Sequence, residues 1–203
     1  FLTVQKNIRK IKTMPEKILY TVSIFSENRV GLLNVISIIY TRRKLNIETL
    51  SVSGTSIEGV HKFTITTYTD KSTIEKLVKQ VEKRIDVLKA FYYTDDELVF
   101  QEIALYKVPT KSLLENPDIE RIVRKHNARI LDISKEYTIF EKTGKNDETT
   151  SLFEELKEYD IVQFVRSGRV AITKSNREFV TEYIAEQEKR KEMMGITHSS
   201  TKF

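Results

Sequence analysis

A short loop between a predicted strand and a predicted helix carries the residue types best suited to binding a small ligand. Asn28 is followed three positions later by Gly31, and an apolar helical stripe begins at the next residue. A glycine lets a ligand approach the backbone closely, and the first amide groups of a helix have no intrahelical acceptor. Such a loop suits a small anion. The same spacing is also common in ordinary turns, where Asn caps a helix and Gly relieves the backbone.

The elements that position this loop are predicted from hydrophobic periodicity. Alternating apolar residues from Ile18 to Ile24 indicate a half-buried strand ahead of the loop. Apolar residues at i, i+3, i+4 and i+7 indicate an amphipathic helix behind it. A second strand is predicted to begin at Asn46 and Ile47, which adds another side-chain amide. The helical stripe consists of Leu32, Val35, Ile36 and Ile39.

Composition limits the classes of protein to which the chain can belong. Its 203 residues can form one large or two small domains, and 39% apolar residues suffice for a core. No apolar run approaches the length of a membrane span, and the basic start lacks the apolar segment of a secretory signal, so a cytoplasmic protein is expected. The absence of cysteine excludes disulfides and zinc-thiolate sites. A net charge of +5 spread among 29 acidic residues favours solvated faces over a nucleic-acid partner.

The segments that follow complete a unit of order β-α-β-β-α-β. Alternation over residues 60–68 predicts a strand, and residues 55–59 make the hairpin connection to it. Ser72 followed by Glu75 is typical of a capping box, which predicts the start of a second helix. A strand at residues 87–93 closes the unit.

A similar order repeats after a polar boundary at residues 94–97. Asn116 and Pro117 predict a helix start, because proline fits the first helical turn. Ser167 and Gly168 are predicted to form a hairpin between the last two strands. The whole predicts an α+β fold with two ferredoxin-like βαββαβ units, antiparallel sheets and helices on one face of each. The other predicted elements of the second unit are strands at residues 99–108, 130–134, 137–141, 161–166 and 170–173 and a helix around residues 152–156.

The predicted division of the chain has four parts. An extension at residues 1–16, expected to be frayed or partly helical, precedes a first domain at residues 17–94. A second domain follows at residues 95–175. Residues 176–203 are predicted to be a charged tail, helical where an apolar strip can dock on a surface and disordered at residues 196–203.

No arrangement of residues with catalytic spacing is visible. His61, His126 and His198 are isolated from one another, so no metal site is predicted. The chain contains neither a Ser/His/Asp arrangement nor a glycine-rich phosphate-binding motif. The basic cluster at residues 42–44 complements the end of the first helix, a role that suits it better than nucleic-acid contact. The sequence therefore predicts a binding module without catalytic activity.

Five stretches carry a family resemblance over residues 17–174. They are SENRVGLLNVISIIYTRRKLNIETLSVS, IDVLKAF, ELVFQEIALYKV, ARILDISKEYTIF and FVRSGRVAIT. In their order and spacing they resemble the small, regulatory subunits of acetolactate synthase (acetohydroxyacid synthase). The resemblance implies that the first unit is an ACT domain, an amino-acid-binding fold, and that the second is the ACT-like C-terminal domain of these subunits.

The resemblance also implies a function. Subunits of this family do no chemistry themselves; they activate a separate catalytic subunit and confer feedback inhibition by valine or a related branched-chain amino acid. Thiamine diphosphate, FAD and magnesium would belong to that large subunit. ACT domains pair side by side as homodimers, so Asn28 and Gly31 of one chain would meet Asn46 and Ile47 of the other around the effector.

The residues are consistent with binding of a zwitterionic amino acid. Amides after Asn28 would hold the carboxylate, oxygens near Asn46 would hold the ammonium group, and Val30, Leu32 and Ile47 are candidates for an apolar wall. Two other interpretations stay open at this point. They are a stand-alone ACT-type amino-acid sensor with another client, and a nucleic-acid-binding ferredoxin-like protein.

Lys44 departs from the family pattern, which often has glycine at this position, and is expected to change how the first helix ends. In the second unit, Asp132 and residues 166–169 are predicted to serve folding and subunit contact rather than effector binding, because they are remote in sequence from the Asn28 loop.

Overall fold

A computed structural model describes residues 17–176 and 179–193, and within them the chain forms two antiparallel sheets with helices. The predicted extension at residues 1–16 and the predicted disorder at residues 196–203 lie outside the described residues. The strands are β1 Ile18–Glu27, β2 Thr49–Gly54, β3 Val60–Thr69, β4 Val87–Tyr93, β5 Leu98–Pro109, β6 Arg129–Ile133, β7 Tyr137–Gly144, β8 Gln163–Arg166 and β9 Val170–Thr173. The helices are α1 Leu32–Arg42, α2 Lys71–Val81, α3 Thr110–Glu115, α4 Pro117–Lys125, α5 Asn146–Leu156 and α6 Phe179–Met193.

The two sheets share one strand order. The first runs β2-β3-β1-β4 and the second runs β6-β7-β5-β8, with every neighbouring pair antiparallel. The first sheet with α1 and α2 is called the first half below, and the second sheet with α3, α4 and α5 is called the second half. Each half has the split β-α-β order, so the predicted α+β fold with two ferredoxin-like units is confirmed.

The first core lies between the first sheet and its helices. The alternating apolar residues of β1 are buried, and three of the four stripe residues of α1 are buried with them. These side chains pack together because period 2 in the strand and period 3.6 in the helix each put apolar residues on one face. The middle of β1 is also buried on its other face, where Thr21 and Ser23 lie. The main contributors from β1 and α1 are Tyr20, Val22, Ile24, Leu32, Ile36 and Ile39.

The second core repeats this arrangement with other residues. Ala104, Tyr106 and Val108 of β5 are fully buried under α4 and α5. The Tyr106 hydroxyl donates to the Thr149 carbonyl at 2.6 Å, and burial raises the pKa of this phenol to about 12. The second half therefore has a core of its own.

β5 pairs with two successive strands of the second sheet. Its first residues pair with β9 and its later residues pair with β8, one after the other along the same edge. The predicted hairpin at Ser167 and Gly168 is therefore wrong, since β8 and β9 do not pair with each other. The linking residues pack on β2 instead: a Cβ on Gly168 would lie 2.8 Å from the Leu50 carbonyl oxygen. Only glycine allows this close approach of two backbones.

Two predicted element starts are also wrong. β2 begins at Thr49 rather than at Asn46, whose carbonyl accepts a hydrogen bond from the Thr67 hydroxyl at 2.6 Å in place of a ladder bond. α2 is capped by Asp70 rather than by Ser72. The Asp70 carboxylate accepts from the Thr73 amide at 3.0 Å, as an N-cap residue does.

Additional structure precedes α4. This helix begins at Pro117 as predicted, but no hydrophobic pattern had indicated α3, which occupies residues 110–115 directly before it. The backbone amide of Asn116 and its side-chain amide both donate to the Ser112 carbonyl, at 3.1 and 2.9 Å. The connection from β5 to α4 is thus longer and more structured than its counterpart in the first half.

α1 ends in a left-handed residue that is not glycine. Lys44 has φ 56°, and its amide donates to the Thr41 carbonyl while the Leu45 amide donates to the Tyr40 carbonyl. These two bonds are the Schellman motif that usually has glycine at this position. Asn127 takes the same role after α4 with φ 51°. The departure at Lys44 leaves the geometry of the helix end intact.

Candidate functional site

The loop between β1 and α1 is open to solvent. Gly31 is the N-cap residue of α1 and has φ 86°, a left-handed conformation that side chains rarely adopt. No atom lies within 4 Å of the position that a Cβ on Gly31 would take. Asn28 is exposed, and the Val30 side chain is fully exposed. A ligand can therefore reach the backbone at the start of α1.

The amide groups at this end of α1 are available. No side chain caps the helix, and the Leu32 amide reaches the Arg29 carbonyl only at 3.4 Å. Among the residues that the structure describes, the amides of Leu33 and Asn34 have no acceptor. Free amides and the positive end of the helix dipole together make a site for a carboxylate.

Polar contacts hold the loop in place. The Arg29 guanidinium pairs with Glu27 at 3.0 Å and with Asp86 at 3.3 Å. The backbone amide of Asn28 donates to the Gly59 carbonyl in the connection between β2 and β3, at 3.0 Å. The loop is therefore fixed to the start of β4 and to the neighbouring hairpin before any ligand arrives.

The remaining predicted residues lie elsewhere in the chain. Asn46 follows α1, which has 11 residues and is about 16 Å long. Its side-chain amide donates to Glu48 at 2.9 Å, and Ile47 is half-buried against the first core. One chain thus keeps Asn28 and Asn46 at opposite ends of the same helix. The Leu32 side chain is 4% exposed and packs in the core, so only its backbone belongs to the loop surface.

An apolar surface borders this region. β2 is an edge strand of the first sheet, and Val52 on it is 43% exposed. On α1, which leads into β2, Leu33 is 43% and Ile38 is 40% exposed. An unpaired strand edge with apolar neighbours is suited to packing against another chain.

A buried arginine connects the two halves. Arg169 is 4% exposed, and its Nη1 donates to Asp95 at 2.6 Å and to the Thr21 hydroxyl on β1 at 3.1 Å. Its guanidinium lies 3.8 Å from the centroid of the Phe100 ring. Of these contacts, the bond to Thr21 reaches the first half, whereas Phe100 belongs to β5. The role in folding and subunit contact that was expected of residues 166–169 stays a prediction.

Glu102 is a buried carboxylate that the sequence interpretation missed. It lies on the inward face of β5, in a row with Phe100 and Ala104, and its side chain is 1% exposed. Its position among the alternating apolar residues of a predicted strand was the signal that could have revealed it. It borders a cleft of about 850 Å³ between the two halves.

Comparison with known proteins covers both halves. A family model described as AHAS small subunit-like ACT domain matches residues 22–89, and one described as small subunit of acetolactate synthase matches residues 101–175. The acetolactate synthase small subunit of Bacillus subtilis is 32% identical over 74% of this chain and 88% of its own length. A probable acetolactate synthase small subunit of Archaeoglobus fulgidus is 30% identical over 78% of this chain and 98% of its own length.

The chain belongs to the acetolactate synthase small-subunit family. The crystal structure of the Thermotoga maritima acetolactate synthase small subunit shares its fold, with a TM-score of 0.71 and 26% identity over 79% of this chain and 99% of that one. Membership of this family makes the chain a regulatory subunit and implies a large catalytic subunit as its partner. None of the helices within residues 17–176 and 179–193 is long and apolar enough to cross a membrane. The same residues contain no cluster of three His, Asp or Glu side chains that could hold a metal ion.

Proposed function

We propose that this small subunit activates its catalytic partner and makes it sensitive to feedback inhibition by valine or a related branched-chain amino acid. The observation that carries the proposal is the pair of free amides, of Leu33 and Asn34, beside the left-handed Gly31. Family membership supplies the client enzyme, and the loop supplies a place for the effector. Thiamine diphosphate, FAD and magnesium are assigned to the large subunit, as the family resemblance implies.

The loop offers the groups that a zwitterionic amino acid requires. Its carboxylate would accept hydrogen bonds from the amides of Leu33 and Asn34, and the Asn28 side chain could donate a further one. The fully exposed Val30 side chain lies at the same loop and gives the effector side chain an apolar contact. The ammonium group needs acceptors that this end of α1 does not provide.

A two-fold homodimer would supply those acceptors. If two α1–β2 edges pair about a two-fold axis, the two α1 helices run antiparallel. The start of one helix then lies near the end of the other, and Asn46 and Ile47 of the partner subunit come close to Asn28. The same pairing would cover the exposed side chains of Leu33 and Val52 and the open edge of β2.

The proposed site is tested by Gly31→Asp. The new carboxylate would stand where the effector carboxylate binds, and it would also accept hydrogen bonds from the free amides. We expect the affinity for L-valine, measured by calorimetry, to fall at least tenfold, or about 1.4 kcal/mol. Activation of the large subunit in a reconstituted assay should persist, because the loop lies outside the hydrophobic core.

Gly31→Ala is the matched control. It puts a side chain at the same left-handed position, where a Cβ meets open space, so this variant reports backbone strain without a charge at the helix start. A folded Gly31→Asp protein whose partner enzyme is still fully inhibited would place the effector site elsewhere.

The proposed dimer is tested by Ile38→Glu. This residue is 40% exposed on α1, and a charge in the paired edge should convert the dimer to a monomer in light scattering and weaken L-valine binding with it. Ile85→Glu is the control, since Ile85 is 92% exposed and lies away from that edge, after α2. A wild-type chain that is monomeric at micromolar concentration with L-valine present would contradict the shared site.

A further inference from the structure

A polar cleft between the two halves has the size of a ligand pocket. It measures about 850 Å³ and is bordered by the outer face of the first sheet, by β5 and by the start of α5. Typical small-molecule sites occupy roughly 300–1,000 Å³ and are frequent between domains. None of the residues of the Asn28 loop lines this cleft.

The cleft contains an acceptor that lacks a donor. Oε2 of Glu102 is buried and accepts no hydrogen bond within the part of the chain that the structure describes. The Nε atoms of Arg166 and Arg169 lie 3.6 and 3.5 Å from its two carboxylate oxygens, which is too long for a good hydrogen bond. A buried carboxylate is stable only when it is both paired and hydrogen-bonded, so this oxygen is suited to a donor from a ligand.

The two arginines beside Glu102 are already engaged elsewhere. Arg169 donates to Asp95, and Nη1 of Arg166 donates to the hydroxyls of Thr149 and Thr150, both at 3.0 Å. Among the described residues, neither arginine donates a hydrogen bond to Oε2 of Glu102.

A basic group lies on the same cleft at the start of α5. Lys145 is the N-cap residue of this helix, and its ammonium makes no ion pair among residues 17–176 and 179–193. Its Nζ lies 5.8 Å from the centroid of the Phe100 ring. Phe100 is two residues before Glu102 on the same face of β5, about 7 Å along the strand. Glu102 and Lys145 therefore line the same cleft, both near Phe100.

The charge balance decides between ligand classes. Three basic and four acidic side chains line the cleft, which disfavours a phosphate or another purely anionic ligand. A ligand that carries an ammonium group as well as a carboxylate satisfies both ends. We propose that the cleft binds a zwitterionic amino acid, with its ammonium group on Glu102 and its carboxylate at Lys145. This site is separate from the Asn28 loop, and its ligand would bridge the two halves.

The test uses the full chain with the loop disabled by Gly31→Asp and Asn28→Ala. Each standard L-amino acid is titrated in turn by calorimetry, and we expect at least one of them to bind. Adding Glu102→Gln should weaken that binding at least tenfold, and adding Lys145→Met should weaken it several-fold. Because Lys145 is exposed, the second variant keeps the test valid if Glu102→Gln does not fold.

Glu158→Gln and Lys135→Met are the matched controls, since both residues are exposed and lie outside the cleft. Failure of every L-amino acid to bind the loop-disabled chain would overturn the proposal, as would binding that neither cleft variant changes. If the cleft variants abolish L-valine binding to the otherwise unaltered chain and the loop variants do not, the cleft site stands and the loop assignment falls.

Discussion

The two halves have the same strand order, yet among the described residues the connection after the first strand leaves an open helix start only in the first half. In the first half, four residues lead from β1 to α1, and the amides of Leu33 and Asn34 are left free. In the second half, the chain passes through α3 before α4 begins at Pro117, which has no amide hydrogen. Asp118 and Glu120 already place two carboxylates in the first turn of α4. An anion would therefore be repelled at the start of α4 and attracted to the start of α1.

The comparison shows that the connection, and not the fold, decides which half can hold an effector. The sheets position both helix starts equivalently, so the difference resides in a few residues. In the first half, a short loop with a left-handed glycine leaves the helix amides open to a ligand. In the second half, the helix begins with a proline, follows another helix and carries acidic residues in its first turn, so it offers no such site. The second half is therefore free to serve a different surface or a different ligand.

Arg169 determines whether the halves behave as one unit. Replacing it with Met removes the buried cation beside Glu102, which keeps only the partly exposed Arg166, and breaking a buried pair typically costs about 3–5 kcal/mol. We expect urea unfolding of Arg169→Met to show a loss of this size and two separate transitions. Arg121→Met removes an exposed ion pair with Asp118 and should change the free energy of unfolding by less than about 1 kcal/mol. Equal effects of the two variants would mean that Arg169 does not couple the halves.

A pair of buried tyrosines should respond in opposite directions. The Tyr40 hydroxyl in the first core has no hydrogen-bond partner in the described structure, whereas the Tyr106 hydroxyl donates to Thr149. Tyr40→Phe should stabilise the protein by about 1 kcal/mol and Tyr106→Phe should destabilise it by about 1 kcal/mol. Chemical denaturation of both variants measures the difference. A loss of stability in both would show that Tyr40 has a polar partner in solution.

The two left-handed helix ends should differ by a smaller amount. Lys44→Gly removes the backbone strain of a left-handed conformation that glycine adopts freely. We expect this variant to raise the free energy of unfolding by about 0.5–1 kcal/mol. Asn127→Gly should gain less, since Asn tolerates this conformation better. Thermal unfolding of the two variants provides the measurement. If Asn127→Gly gained more, backbone strain would not be the controlling factor.

The fold was predictable wherever one face of an element is apolar. The stripe from Leu32 to Ile39 and the alternation in β1 and β3 follow from burial against a single core, so local periodicity reports them. The start of β2 was not predictable in this way, because Asn46 bonds through Thr67 rather than through the ladder. The cap of α2 was misread since both Asp70 and Ser72 are good capping residues, and only the tertiary structure selects Asp70.

The candidate site was predictable only in part. The left-handed Gly31 and the exposed Asn28 follow from a local motif. The position of Asn46, at the far end of α1, and the inward direction of the Leu32 side chain depend on how the helix lies on the sheet. The roles of Glu102 and Arg169 depend on contacts between the halves, which no local pattern encodes. Long-range polar contacts are thus the feature of this molecule that sequence periodicity cannot predict.

The pairing of β5 with β9 also sets the order in which the molecule can assemble. Residues 98–101 pair with residues 170–173, and Arg169 meets Thr21 across 148 positions of the chain. Contacts of such long sequence separation form slowly, because a large loop must close first. During synthesis the first half can complete its sheet before residues 169–173 exist. The junction, with its buried charges, therefore closes after the first sheet has formed.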